Sequence, residues 1–305
     1  MKIYSSIEAF KKIENAVVTT GTFDGVHVGH LTIIKRLKEI ADSVNGETVL
    51  LTFSPHPRIV LFSDNDLKLI TTKNEKIELL RNAGIDHLII HPFSRAFSRL
   101  SSVEFVRDIL VNKIGTSRLV IGYNHHFGRN REGSFEHLKE YGPLYGFQVE
   151  EISAQDVDAV SVSSTKIRQA LDSGDVKTAK EYLGHRFQLT GLVVKGKNLG
   201  HKIGFPTANI QVLDAHKQIP ANGVYAVRVC MHQKEYLGML NIGVRPTVAG
   251  VEKTIEVHIV DFDSDIYGEQ ITVFFESWIR KEQKFENLEA LKKQLEKDKL
   301  YVLNS

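Results

Sequence analysis

The sequence predicts an α/β protein: a parallel sheet with covering helices at the N-terminal end, then a small antiparallel β-barrel with one closing helix. Three observations predict it. Apolar strand-like runs alternate with helical patterns as far as Leu183. Short strands at close spacing follow from Gln188 onward. An amphipathic segment, Leu288 to Lys297, ends the pattern.

The elements read in order as follows. Ala16 to Thr20 is a buried strand, and Val28 to Ala41 a helix with Leu31, Ile34, Leu37, Ile40 and Ala41 on one face. Thr48 to Phe53 is a strand, and Lys76 to Ala83 a helix that ends near Gly84. His87 to His91 is a strand, Val103 to Asn112 a helix, Arg118 to Ile121 a strand, Phe135 to Tyr145 a helix and Phe147 to Glu150 a strand. Strands alternating with helices argue for a parallel sheet, whose ligands bind at the carboxyl ends of the strands. Two helices follow, Ser164 to Asp172 and Asp175 to Leu183. The character changes near Gly184, so the expected domains are residues 1–184 and 185–305. In the second, Leu189 to Val194, Gly223 to Met231, Lys234 to Ile242, Thr254 to Val260 and Gln270 to Phe275 read as strands, and Asn222-Gly223 as a turn. The closing helix is expected to pack through Leu288, Leu291 and Leu295.

Composition bounds the function. In 305 residues, 39 Lys and Arg nearly balance 37 Asp and Glu, which gives no general reason to expect nucleic acid or an anionic membrane as partner. The single cysteine, Cys230, permits no intramolecular disulfide and no cysteine-based zinc site, and fits a reducing cytoplasm. No stretch reaches the roughly 18 apolar residues of a membrane span, and Met1 to Phe10 carries no expected targeting signal.

Two segments carry phosphate chemistry. Thr20 to His30 joins the first strand to the first helix, and Gly21, Gly25 and Gly29 let a ligand approach the backbone. The helix start offers free N–H groups to an anion. His27 and His30 share one face of its first turn and can donate to phosphate oxygens. Farther on, the basic glycine loop Gly196 to Gly204, with Lys195, Lys197 and Lys202, runs into Phe205-Pro206-Thr207-Ala208-Asn209. Thr207 and Asn209 face the same way in an extended segment, and such oxygen ligands suit Mg²⁺.

The pattern Gly21-Thr22-Phe23-Asp24-Gly25-Val26-His27-Val28-Gly29-His30 resembles the HxGH nucleotidyltransferases, and is similar to the FMN adenylyltransferase module of bacterial bifunctional riboflavin kinase/FAD synthetases. Thr52 to Pro57 looks like that family's TFxPHP segment, and Ser163 to Arg168 like its second motif. Gly122 to Gly128 matches a further segment but departs from it at Asn124 and His125, where Asp and Phe are common. Gly204 to Asn209 is similar to the PTAN motif of riboflavin kinases, and Asn222 to Tyr225, Asn241 to Thr247, Glu256 to His258 and Asp261 to Gly268 follow in that family's order.

The resemblance implies a Rossmann-like nucleotidyltransferase domain joined to a riboflavin kinase-like barrel. It implies nucleotide and phosphate contacts from Gly21, Phe23, Asp24, Gly25, Gly29, Ser164, Thr165, Gly204 and Thr207, with His27, His30 and Arg168 acting on the phosphates. It implies Glu256 as the base, Thr207 and Asn209 at the magnesium, and Pro57, Asn124, Arg280 and Phe285 at the flavin. The implied small molecules are riboflavin, FMN, FAD and ATP; the oligomeric state is left open. Two other readings stay open at this point: a chain with one live module, and a flavin-binding protein without catalysis.

Overall fold

In the computed structural model, alternate residues of the central strands leave the front sheet on opposite sides, and both sides are covered. Val18, Val49, Leu51, Leu119 and Ile121 enter one buried cluster, while Val17, Leu50, Leu88 and Val120 enter another. That is why these strands read as unbroken apolar runs rather than as alternation. The structure describes residues 1–62, 66–123, 125–153, 162–196, 200–247 and 250–304; for 201, 202, 245–247 and 250–252 only the backbone is described.

The chain divides into two compact units, residues 1–67 with 73–163, and residues 68–72 with 164–305. Among the described residues the first holds six parallel strands: β1 (Lys2–Tyr4), β2 (Ala16–Thr20), β3 (Thr48–Ser54), β4 (His87–Pro92), β5 (Thr116–Gly122) and β6 (Gln148–Ile152). Their order is β1-β4-β3-β2-β5-β6. Only β1 escapes the sequence reading, because three residues at an edge, two of them exposed, show neither a run nor a period. The order reverses between β2 and β5, and a crevice at such a switch point is where ligands bind. The segment Gly21 to His27 leaves the carboxyl end of β2, and Tyr123 to Gly128 leaves that of β5. The first helix runs Val28–Ser43 and buries Ile34, Leu37, Ile40 and Ala41. The next long helix is Lys73–Asn82, starting three residues before the expected position.

The second unit holds a closed antiparallel barrel. Its strands are β7 (Gln188–Val194), β8 (Ala208–Gln211), β9 (Gly223–Met231), β10 (Lys234–Thr247), β11 (Gly250–Ile259) and β12 (Gln270–Arg280), in the order β10-β11-β8-β7-β12-β9. The sequence reading lacks β8, a four-residue strand. Two local expectations are corrected. Asn222-Gly223 does not turn a hairpin: Gly223 opens β9, and a Cβ there would collide with the Trp278 ring. The tight hairpin instead joins β9 to β10 through His232 and Gln233, whose φ angles of 47° and 63° suit its primed turn. The closing helix runs Leu288–Leu303, longer than expected. It packs through Leu295 and Val302 onto Phe205, Ala226 and Met239, while Leu288 is 63% exposed. Leu288 follows the N-cap Asn287 at the start of the helix, whose buried residues, Asp298 and Val302, lie toward its other end. No helix among the described residues is long and apolar enough to cross a membrane.

Candidate active sites

The turn after β2 is under backbone strain. Phe23 and Val26 have φ of 48° and 42°, a region that side chains, and branched ones above all, avoid. Gly25 at 86° relieves one position only. Such strain persists where the surroundings over-determine it, and it gathers at functional sites. Here the turn is fixed by Gly21 N–H donating to Leu51 O at 3.1 Å, and by Thr52 Oγ1 and Lys76 Nζ donating to Thr22 O at 3.2 and 2.7 Å. Asp24 lies in the turn at 1% exposure.

The turn delivers two histidines to the helix start. His27 is the N-cap residue, with φ −72° and ψ 173°, and Gly29 is buried in the first turn. The rings of His27 and His30 stack with centroids 3.7 Å apart, and Phe23 packs on His30 at 4.6 Å. Nδ1 of His30 is buried with no hydrogen-bond partner among the described residues. Burial, helped by the charges of His27 and Lys76, holds His30 well below the ordinary histidine range. It is therefore a neutral imidazole at physiological pH.

Elsewhere in this unit, Pro57 opens the short helix Pro57–Leu61 behind the cap His56. His125 stands on Phe127 at 6.0 Å with Nε2 buried, and that atom also lacks a hydrogen-bond partner among the described residues. Asn124, Lys197 and Asn198 lie outside the described residues, as does the side chain of Lys202.

In the second unit, Ser164 and Thr165 begin the helix Ser164–Asp172. Arg168, one turn on, donates through Nε to Lys68 O at 2.6 Å.

The barrel brings the remaining predicted residues together in two groups. In the first, β8 pairs with β11 so that Asn209 faces Glu256 across the ladder. Thr207 Oγ1 donates to Glu256 Oε2 at 3.3 Å. His258 lies two residues on and is held below the ordinary histidine range chiefly by burial. Its Nδ1 lies 2.8 Å from Pro206 O, an atom that can only accept, so the imidazole donates and pins the Pro206-Thr207 segment. A Cβ at Gly196 would collide with the Asn209 amide, so this glycine gives Asn209 its place. Gly204 has open space around it and is needed for its φ of 81°. In the second group, the Arg280 guanidinium lies 5.6 Å from the Phe285 ring centroid. Its Nε and a terminal nitrogen fork onto Asp298 at 3.0 and 2.7 Å. Gln294 Nε2 donates to the other Asp298 oxygen at 2.9 Å.

Sequence reasoning missed Lys76 and Asp298. Both carried a usable signal, a charge on a helix's apolar stripe. Lys76 precedes the buried Leu80 by one turn, and Asp298 lies between Leu295 and Val302.

A phosphate-type helix start on a parallel sheet, followed by a barrel that gathers hydroxyl, amide and carboxylate, defines a chain with two phosphate-handling modules. Comparison with known proteins gives the particular kind. Residues 9–166 match the family model described as FAD synthetase, and residues 183–305 the one described as riboflavin kinase. The chain is 38% identical to the bifunctional riboflavin kinase/FMN adenylyltransferase of Escherichia coli K12, over 94% of this chain and 91% of that one. It is likewise 38% identical to the protein of the same name in Buchnera aphidicola of Schizaphis graminum, over 98% and 96%. A Streptococcus pneumoniae crystal structure described as a macrolide-efflux protein is 31% identical with a TM-score of 0.91, covering 100% of this chain and 99% of that one. The chain belongs to the bifunctional riboflavin kinase/FMN adenylyltransferase family, with an N-terminal FAD synthetase domain and a C-terminal riboflavin kinase domain.

Proposed function

We propose that the chain carries out two successive reactions. The barrel transfers the γ-phosphoryl group of ATP to the 5′-hydroxyl of riboflavin, giving FMN and ADP. The N-terminal domain joins AMP from a second ATP to FMN, giving FAD and pyrophosphate. The observation that carries the first step is the meeting of Thr207, Asn209 and Glu256.

Glu256 takes the proton of the ribityl hydroxyl as that oxygen attacks phosphorus, and the Thr207 hydroxyl orients the carboxylate. Thr207 and Asn209 supply hard oxygen atoms, and Gly196 leaves the space in which Asn209 sits. That donor set fits Mg²⁺, which takes few protein ligands and the rest from phosphates. When bound, the ion neutralises phosphate oxygens. Gly204 gives the basic loop its turn beside the triphosphate. Arg280 and Phe285 hold the flavin ring by stacking.

In nucleotidyl transfer the protein positions and neutralises rather than forming bonds. The N–H groups around Gly21, Phe23, Asp24, Gly25 and Gly29 receive phosphate oxygens at the helix start. His27 and His30 donate to the α-phosphate and the departing pyrophosphate. Ser164, Thr165 and Arg168 serve the β- and γ-phosphates. Pro57 and Asn124 serve the flavin. The functional boundary is placed near Gly184, between residues 1–184 and 185–305. The single cysteine suits a cytoplasmic enzyme.

The test of the second reaction is pyrophosphate release from FMN, ATP and Mg²⁺ without riboflavin. Release in step with FAD formation supports the reading; FMN left intact would remove the adenylyl step.

A further inference from the structure

Lys76 lies outside both motifs, yet it reaches the strained turn. Its Nζ donates to Thr22 O at 2.7 Å, and the same oxygen accepts from Thr52. We propose that Lys76 is a positioning residue for nucleotidyl transfer, whose ammonium anchors the turn carrying His27 and His30 and offsets the buried aspartate of that turn. The inference rests on the assignment of this turn to adenylyl transfer.

Three observations support it. The helix Lys73–Asn82 is anchored by Leu80, which is fully buried, so the lysine one turn earlier is aimed inward by packing. Asp24 is the charge that faces it. Burial draws Lys76 below the ordinary lysine range, and Asp24 opposes this by favouring the ammonium. The charge of Lys76 also reaches His30 and, after burial and His27, contributes to keeping it neutral. A turn that bears a buried aspartate repels a triphosphate unless the aspartate is balanced. Lys76 balances it, while the helix start and the imidazoles face the phosphates. A neutral imidazole donates one proton to an oxygen and keeps it through the reaction, which is what stabilisation of developing charge requires.

The experiment separates the charge of Lys76 from its hydrogen bond. Lys76→Gln keeps a donor for Thr22 O and loses the charge; Lys76→Arg keeps both. FMN formation from riboflavin, measured on each full-length variant, reports whether the barrel is intact. In Lys76→Gln, kcat for FAD formation from FMN is expected to fall by ~10²-fold, with KM for FMN little changed. Lys76→Arg is expected to retain most of it. Titration of His30 by NMR is expected to move upward in Lys76→Gln, because a like charge has gone. Wild-type kcat together with an unmoved His30 in Lys76→Gln would overturn the proposal. Equal losses in both variants, with an early melting transition and an unmoved His30, would reduce Lys76 to a structural tie and overturn it as well. If wild-type protein made no FAD from FMN and ATP, the adenylyl reading would fall, and the His30 titration would still decide whether the charge of Lys76 acts in the turn.

Discussion

Thr207 Oγ1 donates to Glu256 Oε2 across 3.3 Å, at the point where Asn209 pairs with Glu256 between β8 and β11. A carboxylate held this way accepts protons in a fixed direction. Glu256→Gln keeps the shape and removes the basicity. FMN formation is expected to fall by ~10²–10⁴-fold, while FMN-to-FAD conversion stays at the wild-type rate. Both are read by chromatography of the flavins.

The stacked pair His27 and His30 predicts the converse. His30→Ala is expected to cost ~10²–10³-fold in FAD synthesis and nothing in riboflavin phosphorylation. His30 is held well below the usual range by burial, then by His27 and Lys76. It stays neutral above pH 6.5, so its ionisation adds no step to the FAD-synthesis pH profile between pH 6.5 and 9.

His125 predicts an acid sensitivity. Burial, with the charges of His126 and Arg131, holds its imidazole down to about 4, against 6.5 for the unperturbed group. Between those pH values the unfolded chain binds the proton and the folded one does not. The His125 contribution to stability is therefore full above pH 6.5, falls as the pH drops toward about 4, and is level below. The size is at most ~3 kcal/mol, and less because the residue is only partly buried. His125→Phe removes both the titration and the buried Nε2 that lacks a partner among the described residues. It is expected to raise stability by about 1–3 kcal/mol and to flatten the dependence of melting temperature on pH between pH 6.5 and 4.

Arg280 and Asp298 predict a stability effect. Asp298 is 1% exposed and neutralises a guanidinium that is itself largely buried. Asp298→Ala leaves that charge without its partner and is expected to cost about 3–5 kcal/mol. Trp278, the single tryptophan, lies in β12 two residues from Arg280, so its fluorescence during urea unfolding reports on the barrel. Unfolding at unchanged urea concentration would show that the pair contributes nothing.

Much of this was legible in the residues. The sheet strands are continuous apolar runs because both faces are covered, and the barrel strands are short and close. The glycine-histidine turn was readable as an anion site from its residue types at a helix start, whereas the PTAN segment, a weak signal by spacing alone, was marked by its resemblance to riboflavin kinases. What escaped was set by tertiary contact. β1 is an edge strand of three residues, and β8 is four residues whose pairing with β7 and β11 decides its conformation. Gly223 read as a turn because its real constraint, the Trp278 ring, is distant in sequence. Leu288 looked like core because period alone does not show where the covered surface ends. Lys76 and Asp298 each showed as a charge on an apolar helix stripe, but what they bind was not readable, because their partners, the Thr22 carbonyl and Arg280, lie on other elements.

The central claim is that one chain makes FMN and then FAD. A chromatographic time course of the purified protein with riboflavin, ATP and Mg²⁺ tests it most directly. FMN rising first and FAD following, with ADP and pyrophosphate as co-products, is the expected result. FMN accumulating alone, even with the flavin reduced, or no flavin product at all, would contradict it.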